Sequence, residues 1–345
     1  MTLSLISIGL ADEMDLSQRA IEEARGCDHL YAELYTTILD TDLKRLGALM
    51  GKPVKPLTRS QLEEGSEGLL EEARRGRVGV LVGGDCLTAT THVSLLLDAA
   101  KKGIPTRVIH GSSVLTAVAE TGLSLYKFGR TVTLPLPERA PPDTILRTLR
   151  ENREHGLHTL VLLDIDAEEG RNQTIPQALR TLLEAEDPES FNPDTLIVAA
   201  ARLGWKDQTV RAGKATEIAT LDLSPPPHVI IVPGDLHFIE AEALKTLAGS
   251  PEEAIENHKP IGDMDRLIRK YSEGCRRVIE ELEKAGPSRG TGADGVKALI
   301  EHAARYVDDA EYYAQERRAT ALASVSYAEG ILDALRLLGL VEFEW

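Results

Sequence analysis

Four glycine-containing segments close short apolar runs and carry the residue types that could do chemistry: SIGLADE at 7–13, VGGDCLTATTH at 82–92, HGSSVLTAV at 110–118 and AARLGW at 200–205. Glycine lets a backbone approach a ligand closely, and Asp85, beside Gly83 and Gly84, offers a carboxylate acceptor to an amine or hydroxyl. Ligands of open α/β sheets sit in the crevice beyond the carboxyl ends of strands, so several such turns can converge on one small molecule. Taken singly, each turn reads equally well as a plain chain reversal, and Asp85 as a turn residue.

Other chemistries fail on spacing. A dinucleotide fingerprint needs GxGxxG after the first strand, but Gly9 is followed by Leu10, Ala11, Asp12 and Glu13. A P-loop ends in Gly-Lys before Ser or Thr, whereas the glycine-rich GPSRGTGADG at 286–295 runs into Val296 and reads as a connector. His155 and His158 stand three apart without the Cys, Asp or Glu partners of a zinc site, so no metal is expected. The GxSxG elbow of a nucleophilic serine is absent. Cys27, Cys86 and Cys275 are scattered without CxxC spacing, which predicts reduced thiols.

These turns need strands to hold them. Apolar runs at 3–8, 78–82, 106–109, 159–165, 195–200 and 228–232 alternate with helical patterns at roughly 16–26, 60–74, 90–102, 142–154, 174–185 and 238–247. That alternation predicts an α/β fold with a largely parallel sheet. LVLLDI (160–165) and VIIVPG (229–234) are continuously apolar, as strands covered on both faces are. PLPERAPP at 135–142 predicts a linker or rim loop. From Ser250 the pattern turns helical only. Met264, Leu267, Ile268, Tyr271, Cys275, Val278, Ile279 and Leu282 put one apolar stripe on a helix, and two more helices near 296–316 and 318–338 make a small bundle.

The 345 residues carry 39 Lys plus Arg against 55 Asp plus Glu, a formal charge of −16. Phosphate backbones attract the opposite balance, so direct nucleic-acid binding is not expected. No apolar run approaches the ~20 residues of a membrane helix. The start, MTLSLISIGLADEMD, turns acidic without the basic region of a signal peptide, which predicts a cytoplasmic protein without membrane association.

Read in order, SIGLADEMDLSQRAIE (7–22), LYAELYTTIL (30–39), GGDCLTATTH (83–92), RVIHGSSVLTAV (107–118), GLSLYKFG (122–129), HGLHTLVLLDI (155–165), AARLG (200–204) and PPPHVIIVPG (225–234) resemble the diphthine synthases. These are S-adenosylmethionine-dependent methyltransferases of the diphthamide pathway, with the tetrapyrrole-methylase fold. The resemblance covers residues 1 to about 249, and YAELYTT, GLSLYKFG and HTLVLLDI separate it from the wider fold family. It implies a two-domain α/β architecture, 1–112 and 113–249, with S-adenosylmethionine folded in the cleft between them. Residues 250–345 form an appended all-helical domain that resembles a small archaeal domain of unknown function. A homodimer is also implied.

The cofactor-binding residues carried over by the resemblance are Leu10, Asp85, Thr88, Ser113, Val114, Leu163, Leu203 and His228. Leu10, Val114, Leu163 and Leu203 would line the adenine and ribose pocket, while Asp85, Ser113 and His228 would orient polar groups. The implied acceptor is the amino group of the amino-carboxypropyl-modified histidine of translation elongation factor 2. Three methylations give diphthine; eukaryotic members add a fourth methyl, to the carboxylate, and the archaeal tail favours three. No residue is singled out as proton acceptor.

One departure stands out, because Cys86 follows Gly84-Asp85 where the family usually has proline. It is either a buried small hydrophobe or a reactive thiol beside the cofactor. His228 is either a ligand contact or a satisfied core histidine, and Tyr31 and Tyr35 either pack or edge a substrate channel. His110 and His158 read as structural. Two rival functions stand beside the first. One is a methyltransferase of the same fold acting on a corrinoid or porphyrin precursor, which would want a lining of Arg and Lys. The other is a non-catalytic adapter. The stripes of the helical tail could close on one another, dock on the front of the chain or bind another protein.

Overall fold

A computed structural model describes residues 1–166, 170–185, 187–258, 263–285, 293–314 and 317–345. The first sheet is built from β1 (Thr2–Ser7), α1 (Gln18–Gly26), β2 (His29–Glu33), α2 (Leu43–Met50), β3 (Val54–Pro56), α3 (Glu67–Arg75), β4 (Arg77–Val82), α4 (Val93–Lys101) and β5 (Thr106–Ile109). Its order is β3-β2-β4-β1-β5 and every pairing is parallel. Alternation in β1 divides the core. Leu3 and Leu5 pack with Leu69, Leu70 and Leu95 of α3 and α4, while Ile6 and Ile8 pack with Ala20, Ala24 and Leu46 of α1 and α2. Ser17 and Asp42 cap α1 and α2 through their side-chain oxygens.

The second sheet follows: α5 (Val114–Ala117), β6 (Val132–Leu134), α6 (Asp143–Glu154), β7 (Thr159–Leu163), β8 (Ile165–Asp166), β9 (Arg171–Asn172), α7 (Ile175–Leu183), β10 (Leu196–Ala201), β11 (Thr209–Lys214), α8 (Ala215–Ile218), β12 (His228–Val232), α9 (Phe238–Thr246) and α10 (Glu252–Glu256). Its order is β11-β10-β12-β7-β6. Here the expectation of a largely parallel sheet needs correcting, since only β6 and β7 run parallel and the other pairs are antiparallel. A continuously apolar strand reports burial on both faces, not direction. The turn from β10 to β11 is also too short for a crossover. Helices α6 to α8 cover one face through Leu149, Leu179 and Ile218, and Leu244 of α9 packs with Val198 and Ile231 on the other.

Two further differences have local causes. The helix expected over 60–74 is split, with a wide turn at Ser60–Glu64, a break at Gly65 and then α3. Strands β2, β3, β6 and β11 escape the apolar pattern because they are short or carry polar edge residues. PLPERAPP is a loop, as expected.

The described residues fall into two compact units, the first comprising 1–152 and 157–258 with both sheets. The second holds α11 (Asp263–Ala285), α12 (Ala293–Tyr313) and α13 (Arg318–Leu337). Cys275, Val278, Ala303, Val307, Val325 and Leu332 form its core, so the apolar stripes do close on one another. Arg276 bridges α11 to Asp308 and Glu311 of α12. Most of the connector expected at 286–295 lies outside the described residues.

Candidate active site between the two sheets

β1 runs into a turn that glycine makes possible. Gly9 has φ +113°, and a Cβ there would stand 2.4 Å from that of Asp15. The Asp15 carboxylate accepts the amides of Leu10 (2.9 Å) and Ala11 (2.7 Å), so the acidic stretch after β1 holds its own turn. Gly9 and Gly84 exchange backbone hydrogen bonds of 3.2 and 2.7 Å, which locks this turn to the one after β4. Gly84 has φ +67°, and the space where its Cβ would point is open.

Asp85 is 8 % exposed and its four lone-pair positions are taken. Oδ1 accepts the Leu87 amide (3.0 Å) and the Thr88 hydroxyl (3.3 Å); Oδ2 accepts His110 Nδ1–H (2.9 Å) and the Gly111 amide (3.1 Å). Burial alone would raise its pKa, but the Leu87 amide, His110 and the Gly111 amide outweigh it and hold the carboxyl below the usual range. Asp85 therefore clamps the turn after β4 to the turn after β5. Cys86 is fully buried, and burial pushes its thiol up, so it behaves as a small hydrophobe.

The other side comes from the second sheet. Ser113 caps α5 by accepting the Leu115 amide (3.2 Å), and its hydroxyl proton remains to donate. His228 accepts the Ile175 amide, the first of α7, on Nδ1 (3.2 Å) and donates Nε2–H to the Ser224 carbonyl (2.6 Å). Burial pushes its pKa down, so it is a neutral, satisfied histidine that also borders the cavity. Gly204, at φ +83°, lets Leu10 approach, and Trp205 Nε1–H donates to the Leu10 carbonyl at 2.9 Å. That bond ties the end of β1 to the end of β10.

All of Leu10, Asp85, Thr88, Ser113, Val114, Leu163, Leu203 and His228 border a single cavity of about 280 Å³. Apolar surface comes from Leu10, Val114, Leu163, Leu203, Ala200 and Val229, and open main chain from Gly83 and Gly84. Of the polar side chains expected to orient a ligand, Asp85 and His228 commit their polar atoms within the protein.

Among the lining residues that escaped the sequence reading are Thr36, Thr37 and Arg59. Thr36 is set by Glu33, a wholly buried carboxylate that accepts the amides of Tyr35 (2.9 Å) and Thr36 (2.8 Å) and the Thr36 hydroxyl (2.9 Å). His92 lies 3.8 Å from Glu33 and donates Nδ1–H to the Cys86 carbonyl at 3.1 Å. The available signal was an acidic residue ending a buried run, with threonine three positions on. Tyr35 edges this corner, its ring 5.5 Å from the Arg59 guanidinium.

The family described as Tetrapyrrole (Corrin/Porphyrin) Methylases matches residues 2–219. The diphthine synthase of Methanosarcina mazei is 40 % identical over 265 residues, covering 74 % of this chain and 99 % of that protein. That of Methanothermobacter thermautotrophicus is 40 % identical over 260 residues, 74 % of this chain and 98 % of its own length. The chain belongs to the diphthine synthases. A solved structure described as diphthine synthase superimposes with a TM-score of 0.70 at 34 % identity, over 74 % of this chain and 99 % of that one. Membership of this family makes the chain a methyltransferase with the tetrapyrrole-methylase fold, followed by a helical region. Residues 270–341 match a family described only as a protein of unknown function, DUF357. The whole cavity lining lies in the first unit, where the methylase family match also falls.

Proposed function

We propose that this protein transfers methyl groups from S-adenosylmethionine to the amino group of the amino-carboxypropyl-modified histidine of translation elongation factor 2, three times, giving diphthine. The observation that carries this is the convergence of six strand termini, with all eight expected residues, on one cavity in a diphthine synthase. The cavity suits the cofactor: glycine main chain faces open space at Gly84, and apolar side chains from both sheets flank it.

When bound, S-adenosylmethionine supplies a methyl on a cationic sulfonium, already activated for in-line displacement. The residues of this chain have alignment as their main task, and alignment of an amine on such a methyl is worth several kcal/mol, about 7–11 in the best intramolecular cases. Leu10, Val114, Leu163 and Leu203 would enclose the adenosine, and Ser113 would donate its remaining proton to it. Asp85 acts one step back, holding two of the turns at fixed separation. The amine must lose its proton before it attacks, and exclusion of water by the apolar wall favours the neutral form.

We read the protein as a cytoplasmic homodimer. Among the described residues no helix is long and apolar enough to cross a membrane. Exposed Tyr126, Phe238 and Ile239 offer apolar surface to a second copy. A corrinoid or porphyrin acceptor is less well served: among the described residues Arg59 alone brings an ammonium or guanidinium to the lining, too few for a macrocycle with several carboxylates.

The test mixes purified protein, methyl-labelled S-adenosylmethionine and elongation factor 2 carrying the unmethylated precursor. Label should pass to the factor; its absence would remove the assignment.

A further inference from the structure

We propose that Arg59 is the specificity-determining residue for the acceptor, its guanidinium binding the carboxylate that lies beside the methylated amine. This rests on the methyltransferase reading above and adds the part of the site that recognises the acceptor.

The charges around the cavity point there. Besides Arg59, the lining carries Asp85 and Asp164. Asp85 is filled by four donors, and Asp164 accepts the Leu136 amide (3.3 Å) and Arg139 (2.7 Å). Neither attracts a ligand carboxylate. Arg59 does, and it is exposed at the cavity, so an acceptor carried on a large protein can reach it. Its guanidinium lies over the Tyr35 ring, 5.5 Å from the centroid, and a guanidinium's planar fork matches the two oxygens of a carboxylate.

The surroundings are rigid and polar. Glu33 fixes Thr36 from beneath, and Thr37 is wedged against Gly83, where a Cβ would come within 2.2 Å of its methyl. Thr36 and Thr37 thus line the same cavity as Arg59, in a corner built from the first sheet. An amine next to a free carboxylate holds its proton more tightly; pairing that carboxylate with Arg59 cancels the effect, and the neighbouring positive charge disfavours the ammonium. One contact then both selects an α-amino carboxylate and prepares its nitrogen to attack.

Full-length Arg59→Ala and Arg59→Lys are compared with the unsubstituted protein by calorimetry. Titrants are S-adenosylhomocysteine alone and then, with it present, elongation factor 2 bearing either the amino-carboxypropyl group or the unmodified histidine. Loss of a bidentate charge-assisted pair should weaken binding of the modified factor by about 30- to 100-fold in Arg59→Ala. Arg59→Lys should recover part of it, and affinity for S-adenosylhomocysteine and for the unmodified factor should stay the same. An equal loss for both factors would overturn the proposal, as would no loss for either. A fall in S-adenosylhomocysteine affinity would overturn it too, because Arg59 would then hold the cofactor's own carboxylate. Binding is read without turnover. A protein that binds the modified factor through Arg59 yet transfers no methyl would therefore count against the proposed function and leave this contact standing.

Discussion

At Asp85 one carboxylate serves four donors drawn from two turns, so its removal leaves the Leu87 and Gly111 amides, the Thr88 hydroxyl and His110 without this partner and unlinks the two turns. Asp85→Asn keeps the shape but places an amide NH2 against existing donors. A loss of about 2–3 kcal/mol is expected, together with weaker S-adenosylmethionine binding. Chemical denaturation and calorimetry measure the two, and a variant unchanged in both would show that the clamp carries nothing. The depressed pKa also sets a sign. The stabilisation is present above the ordinary carboxylate value of about 3.9 and disappears as pH falls through the lower folded-state value. Glycines at strand ends marked four of the turns in the sequence, and the resemblance to the diphthine synthases supplied the individual residues. Their hydrogen bonds were not legible: the partners of Asp85 and His228 include backbone amides tens of residues away, which no side-chain pattern records. Arg59 was missed for a similar reason, since it follows β3, a short edge strand with no apolar run to mark it.

Among the elements, α9 is tied to the loop before β6 by Glu240. Its carboxylate accepts the amides of Ser124 (2.9 Å) and His237 (2.8 Å), Lys127 Nζ (2.6 Å) and His158 Nε2–H (3.1 Å). The segments GLSLYKFG and HGLHTLVLLDI, which supply Lys127 and His158, thus have a structural part to play away from the cavity. Burial alone would push Glu240 up, yet Lys127, the two amides and His158 bring it down to about 2. The sign follows. Stability from this group is complete above its unfolded value of about 4.3, amounts to about 3 kcal/mol, and is lost as pH falls toward 2. Glu240→Gln should lower stability at pH 7 and flatten the acid limb in urea unfolding followed against pH; an acid limb of unchanged slope would refute it. A second link, Trp205 to Leu10, joins the ends of β10 and β1. Trp205→Phe should cost about 1 kcal/mol and weaken cofactor binding, read by thermal unfolding and calorimetry; unchanged affinity would mean that this bond does not set the cavity. Sequence periodicity located the longer strands and helices because their apolar stripes are continuous. It could not give strand direction in the second sheet, where β10, β12 and β7 are buried on both faces whichever way they run.

Over the whole molecule, the cavity and everything that lines it belong to the first unit, and the three helices have a core of their own. The pattern turns to stripes of period three to four from Ser250, whereas the compact units divide beyond residue 258, because α10 stays with the first. What the helices contribute was not legible, because a stripe that closes on its neighbours looks the same as one that binds a partner. A chain ending at residue 258 should therefore keep its affinity for S-adenosylmethionine within a factor of about 3, as judged by calorimetry, if cofactor binding needs no helical unit. A loss of 10-fold or more would mean that the helices support the site. The −16 charge acquires a use at this scale, because an acidic enzyme can be steered to the proposed protein acceptor by a basic surface on it. The central claim is threefold methylation of one amine on that acceptor. Mass spectrometry of the modified-histidine peptide after reaction of this protein with the precursor-bearing factor tests it most directly. Three added methyl groups, all on the amino nitrogen, are expected; an unmodified peptide, or methylation confined to the carboxylate, would contradict it.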